Sequence, residues 1–113
     1  MYREQLLFVC SRNQWRSPTA AVLFKDNDLY VARSAGTSDS AKIKITAGSS
    51  DWAERIFVME KRHLAIIHRK YGNEIEEKSI VVLNIADDDR YLDSELIEIL
   101  KLRLSEHLKF GDE

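Results

Sequence analysis

Leu6-Leu7-Phe8-Val9-Cys10-Ser11-Arg12-Asn13-Gln14-Trp15-Arg16-Ser17-Pro18 decides how the rest of the chain is read. Four apolar residues, enough for a buried strand, run directly into the one cysteine of the sequence. Five residues separate Cys10 from Arg16. Ser17 and Pro18 then carry the signature of a helix start, since serine is a good N-cap and proline suits the first helical position. The stretch predicts strand, loop and helix in succession. A thiol stands where strand meets loop, and a guanidinium where loop meets helix.

Helix N-termini present unpaired amides at the positive end of a dipole, so such a loop suits an oxyanion. The amides of Ser11, Arg12, Asn13, Gln14, Trp15 and Arg16 can curl into a nest around a tetrahedral anion. Arg16 adds a planar fork for two of its oxygens. The same field favours the thiolate of Cys10. Taken alone, a free cysteine at a strand end is more often a small buried residue. An arginine at this offset also arises by chance on the order of once in twenty, at average residue usage. The strand before and the capped helix after are what make the combination specific.

A chain of 113 residues allows one domain, 1–113, with a single core. A formal net charge of −2 and the lack of a dense basic cluster argue against a nucleic-acid partner. No apolar run approaches the roughly 18 residues of a membrane span, and the first residues lack the pattern of a cleaved signal. One cysteine leaves no internal disulfide, so a cytoplasmic setting is expected. His63 and His68 are five apart on one predicted helix, wrong for an i,i+4 zinc pair. With His107 they read as surface or boundary residues, and neither a metal nor another cofactor is expected.

Along the chain, Ala20, Leu23 and Phe24 continue the first helix until Asp26-Asn27-Asp28. Leu29 to Arg33 reads as a partly alternating edge strand, Ser34 to Thr37 as a turn, and Ser38 to Lys44 as an exposed loop. Thr46 can cap a short helix through about Ala53. Ile56 to Met59 is continuously apolar, hence a central strand. Lys61 to Tyr71 is a helix that Gly72 stops. Ile80 to Leu83 forms the fourth strand. Asp93 can cap a last helix in which Leu92, Leu96, Leu100, Leu104 and Leu108 make a core stripe. The alternation predicts an α/β fold in three layers: a four-stranded parallel sheet with helices on both faces. Ligands of such sheets bind beyond the carboxyl ends of the strands. Cys10, Ser34, Glu60 and Asp87 to Asp89 are therefore expected at one rim.

Cys10-x5-Arg16-Ser17-Pro18-Thr19-Ala20 resembles the phosphate-binding loop of the low-molecular-weight protein tyrosine phosphatases. Val31 to Thr37, ending in Ser-Ala-Gly-Thr, is similar to the family's second-strand segment, and Trp52 to Glu60 to its third strand. Ile85-Ala86-Asp87-Asp88-Asp89 stands where the family has its acid-bearing Asp-Pro-Tyr loop. The resemblance implies metal-free hydrolysis of phosphotyrosine, or another aryl phosphate monoester, through a phosphocysteine intermediate. Cys10 would be the nucleophile, Arg16 the clamp on the phosphoryl oxygens, Ser17 the support of the thiolate and Asp87 the general acid. Asn13 matches the loop asparagine, which tolerates left-handed backbone. Ser34, Asp88, Asp89 and Tyr91 are supporting candidates, although the aspartates also read as a solvated turn. The partner implied is a phosphorylated protein or a small aryl phosphate.

The chain departs from the family's pattern in four places. Arg12 stands for glycine, which is strained if the position needs a positive φ. Trp15 replaces a second cysteine, Asp88 replaces proline, and the segment 38–45 is shorter. Trp15 or Tyr91 could supply a new pocket wall, and Trp15 could equally pack inward, while Trp52 reads as core. Two further functions fit the same residues. One is a phosphate-binding regulatory module without turnover. The other is an arsenate reductase dependent on an external thiol, an internal cysteine relay being excluded by the single Cys10.

Overall fold

The apolar run that opens the chain forms strand β1 (Glu4–Cys10), buried from Leu6 onward. The structure is a computed structural model that describes residues 2–75, 79–86 and 91–109. After β1 come α1 (Arg16–Val22), β2 (Tyr30–Gly36), α2 (Ala47–Trp52), β3 (Arg55–Val58), α3 (Lys61–Ile75), β4 (Ser79–Val82) and α4 (Ser94–Leu104). The strands form one sheet in the order β2-β1-β3-β4, every pair parallel. The expected α/β layering is what is found, with β2 at an edge and β3 inside.

Alternation along β1 sends successive side chains to opposite faces of the sheet. Leu6, Phe8 and Cys10 join Ala20 and Phe24 of the α1 segment and Leu96, Leu100 and Leu104 of α4. Leu7 and Val9 join Ile56, Val58, Ala53 and Ile67 below α2 and α3. Helices α1 and α4 thus cover one face, and α2 and α3 the other. Asp93 caps α4, accepting from the amides of Glu95 and Leu96, and Thr46 forms a reciprocal capping box with Ser49 on α2. No helix among the described residues is long and apolar enough to cross a membrane.

Several boundaries differ from the sequence expectation. Ser34, Ala35 and Gly36 are not a turn; they pair with Phe8, Val9 and Cys10 and lengthen β2. Helix α3 does not stop at Gly72. It bends at Tyr71 (φ −130°, ψ 19°) and runs on to Ile75. Leu92 is exposed with φ 58° and lies outside the α4 stripe, which begins at Leu96. The largest shift concerns α1, which starts at Arg16 with Trp15 as N-cap, so Ser17 does not cap it. The first helical bond runs from the Thr19 amide to the Trp15 carbonyl (3.1 Å). Pro18 therefore falls at the third helical position, where its missing N–H would have had no intrahelical acceptor anyway.

Candidate active site

Because Ser17 is released from capping, its hydroxyl is free to turn back toward the strand. Ser17 Oγ lies 3.0 Å from Cys10 Sγ and accepts from Asn13 Nδ2 at 3.0 Å. It also reaches the Ala35 carbonyl at 3.3 Å. The hydroxyl has one proton to give. With Cys10 as a thiol, S–H donates to Ser17 and Ser17 donates to Ala35. With Cys10 as a thiolate, the Ser17 proton turns to sulfur. In both states Asn13 holds the hydroxyl in place. Asn13 itself is buried with φ 57°, the left-handed conformation that asparagine tolerates.

The carbonyls of the loop between β1 and α1 are held by the segment that follows β2. Carbonyls of Cys10, Ser11 and Arg12 accept from the amides of Thr37, Ser38 and Lys42, at 2.9, 2.8 and 3.0 Å. The amides of Arg12, Asn13 and Gln14 have no backbone acceptor among the described residues. The loop therefore presents donors without acceptors, as an anion nest requires. Gly36 makes this packing possible. A Cβ there would meet Ser11 O at 2.5 Å, Ala41 Cβ at 2.7 Å and Asn13 N at 2.9 Å. Arg12 is absent from the residues with positive φ, so its replacement of glycine carries no backbone strain.

Arg16, 2% exposed, donates through NH1 to the Ile85 carbonyl (2.8 Å) and lies 3.6 Å from Glu60. Glu60 is also bound by Arg62 at 2.5 Å. Burial alone would raise the Glu60 pKa. The Arg62 hydrogen bond and the charges of Arg16, Arg62 and His63 outweigh it and hold the carboxyl below its ordinary value. A cavity of about 180 Å³ opens between Cys10, Arg12, Gln14, Trp15 and Arg16. Trp15 thus lines the cavity instead of packing inward. Trp52 lies elsewhere, half-buried, with the Arg33 guanidinium 4.1 Å from its ring centroid.

His63 is the residue that sequence reasoning missed. Far from being a surface side chain, it is fully buried at the start of α3. Its Nδ1 accepts from the Glu60 amide (3.0 Å), and its Nε2 lies 2.9 Å from Ser11 Oγ. An Nδ1 that accepts places the proton on Nε2, so the neutral ring donates to Ser11 and steadies the loop. Burial first, then Arg16 and Arg62, push its pKa down to about 4 from 6.5, against an opposing pull from Glu60. The available signal was position: His63 follows the β3 exit by a few residues, at the rim where α/β sheets bind ligands. The other two histidines, His68 and His107, are exposed as expected.

Of the remaining candidates, Ser34 does not reach the rim. It pairs with Phe8, two positions short of the strand end, and what meets the loop there is Gly36. Tyr91 is exposed and does not line the cavity. Asp87, Asp88 and Asp89 lie outside the described residues.

The frame is the fold of the low-molecular-weight protein tyrosine phosphatases. By sequence, no protein-family model and no curated protein matches the chain. By structure it is similar to a YwlE mutant from Bacillus subtilis (TM-score 0.67, 23% identity, 91% of this chain and 97% of that one). It is also similar to the YwlE arginine phosphatase from Geobacillus stearothermophilus (TM-score 0.63, 17% identity, 96% and 99%). A third is a low-molecular-weight phosphotyrosine phosphatase from Vibrio cholerae O395 (TM-score 0.66, 17% identity, 91% and 95%).

Proposed function

We propose that the chain hydrolyses phosphotyrosine or another aryl phosphate monoester through a phosphocysteine. The observation that carries the reading is Cys10 Sγ, 3.0 Å from the Ser17 hydroxyl oxygen and facing a cavity it shares with Arg16 and the loop. In the first step the Cys10 thiolate forms the S–P bond while the bond from phosphorus to the aryl oxygen breaks. Asp87 gives that oxygen its proton. The loop amides and Arg16 hold the equatorial oxygens as charge shifts onto them. In the second step water attacks phosphorus, its proton passes to Asp87, and the S–P bond breaks. Ser17 donates to the departing sulfur.

Asp87 takes this role from the resemblance, and the carbonyl of Ile85, two residues before it in sequence, accepts from Arg16. No step needs a metal or cofactor, and a catalytic thiol of this kind suits a reducing cytoplasm. The test is p-nitrophenyl phosphate hydrolysis. Cys10→Ser abolishes it, and Arg16→Ala lowers it by about a hundredfold or more, as expected for loss of a transition-state donor. Wild-type turnover no greater than that of Cys10→Ser refutes the enzyme. Phosphate binding without turnover would then identify a binding module.

A further inference from the structure

The phosphate loop carries more positive charge than one phosphate needs, and the surplus is grouped. Arg12 lines the cavity beside Cys10 and Arg16, yet is itself exposed. Lys42 is exposed too, and its amide is bonded to the Arg12 carbonyl at 3.0 Å. The two residues are therefore fixed beside one another by backbone. Packing around Gly36 holds both segments, since Ser11, Asn13 and Ala41 crowd its α-carbon.

Three other cations around this rim lie against carboxylates of the protein. Lys44 pairs with Asp39 at 2.6 Å, Arg62 with Glu60 at 2.5 Å, and Arg16 faces Glu60. Neither Arg12 nor Lys42 has an ion-pair partner among the described residues. Among the described residues, Arg12 in the pocket wall and Lys42, joined to it through backbone, are thus two cations without a carboxylate partner. Trp15 forms another wall of that pocket.

We propose that Arg12 and Lys42 form a second anion subsite, selecting aryl phosphates that carry a further negative group close to the phosphorylated ring. The inference rests on the phosphatase reading and names the substrate class within it. The second group is a carboxylate or a phosphate, borne either by a residue next to phosphotyrosine in a peptide or by the ring of a small molecule. The phosphate occupies the loop while the second anion faces the guanidinium and the ammonium. A phosphorylated guanidinium substrate gains nothing there, because its free nitrogens are donors and meet donors.

The test compares kcat/KM for a phosphotyrosyl peptide flanked by glutamates, the same peptide flanked by glutamines, p-nitrophenyl phosphate, a ring-carboxylated phenyl phosphate and a phosphoarginine peptide. Exposed ion pairs are each worth about 1.4- to fivefold, so two give a preference of roughly two- to twenty-five-fold at low salt. At 0.5 M salt, where the screening length falls to a few ångström, the preference drops below about twofold. Lys42→Glu reverses it. A preference seen with the peptide pair assigns the second anion to a protein substrate. One confined to the ring-carboxylated compound assigns it to a small molecule, and either supports the subsite. Equal efficiencies for the charged and uncharged partners overturn it, as does a preference that survives Lys42→Glu. Absence of all turnover refutes the phosphatase reading instead. The subsite is then decided by calorimetric titration of wild type and Lys42→Glu with the two peptides, equal affinities overturning it.

Discussion

Protonating His63 should unlatch the loop between β1 and α1, and the cost can be worked from its surroundings. The ring is fully buried, accepts from the Glu60 amide and donates to Ser11 Oγ. A second proton would sit on Nδ1, where an acceptor is needed. Burial and the nearby Arg16 and Arg62 lower the folded-state pKa to about 4, from 6.5 when unfolded, while Glu60 offsets part of this. Above pH 6.5 both states are neutral at this site and stability is unaffected. Between 6.5 and about 4 the unfolded chain holds the extra proton, so stability falls as pH falls. At 1.36 kcal/mol per pH unit the interval amounts to roughly 3 kcal/mol, complete once pH is below 4. Urea unfolding of wild type and His63→Gln from pH 7.5 to 4 isolates the effect, because most other groups titrate alike in both proteins. The stability difference between the two should shrink by about that amount as pH falls. A difference constant across the range would refute the buried, neutral, loop-bound histidine.

Three further outcomes follow from the geometry. Gly36→Ala places a methyl 2.5 Å from the Ser11 carbonyl, so denaturant unfolding should show a loss of about 1–3 kcal/mol, with weaker phosphate binding by calorimetry. Ser17→Ala removes the one hydroxyl within hydrogen-bond reach of Cys10 Sγ among the described residues. Rapid-quench kinetics should show kcat reduced about tenfold or more, as for a hydrogen bond to a charged group, with phosphocysteine accumulating. Asp93→Ala should cost about 1 kcal/mol in denaturant unfolding through loss of the α4 cap.

The parts of the fold that could be read in advance are those with local causes. Continuous apolar runs marked β1 and β3, Asp93 and Thr46 marked helix starts, and alternation of strands with helices set the layering. The parts that could not were set by contacts distant in sequence. Ser34-Ala35-Gly36 looks like a turn because its residues are small. Gly36 is small because the loop and Ala41 press on it, which no local rule reveals. Ser17 has the chemistry of a cap but serves sulfur, since α1 begins two residues earlier than its local sequence suggests. Cys10, Asn13, Arg16 and Ser17 were legible as a group because they share one loop. His63 was not, because its value to that loop exists only once β3 lies beside β1.

Arg16 is made well before the carbonyl on which its guanidinium rests, which lies 69 positions further along the chain. No strand pair here closes through a hairpin; each needs a crossover, and β1 waits for both β2 and β3 before β4 docks. A partly folded chain can hold the thiol, the asparagine and the serine. It cannot hold the arginine in place until the segment after β4 has arrived. On the proposed reading, competence is thereby made contingent on completion of the sheet, and a chain interrupted before Ile85 carries the Cys10 thiol without Arg16 held beside it.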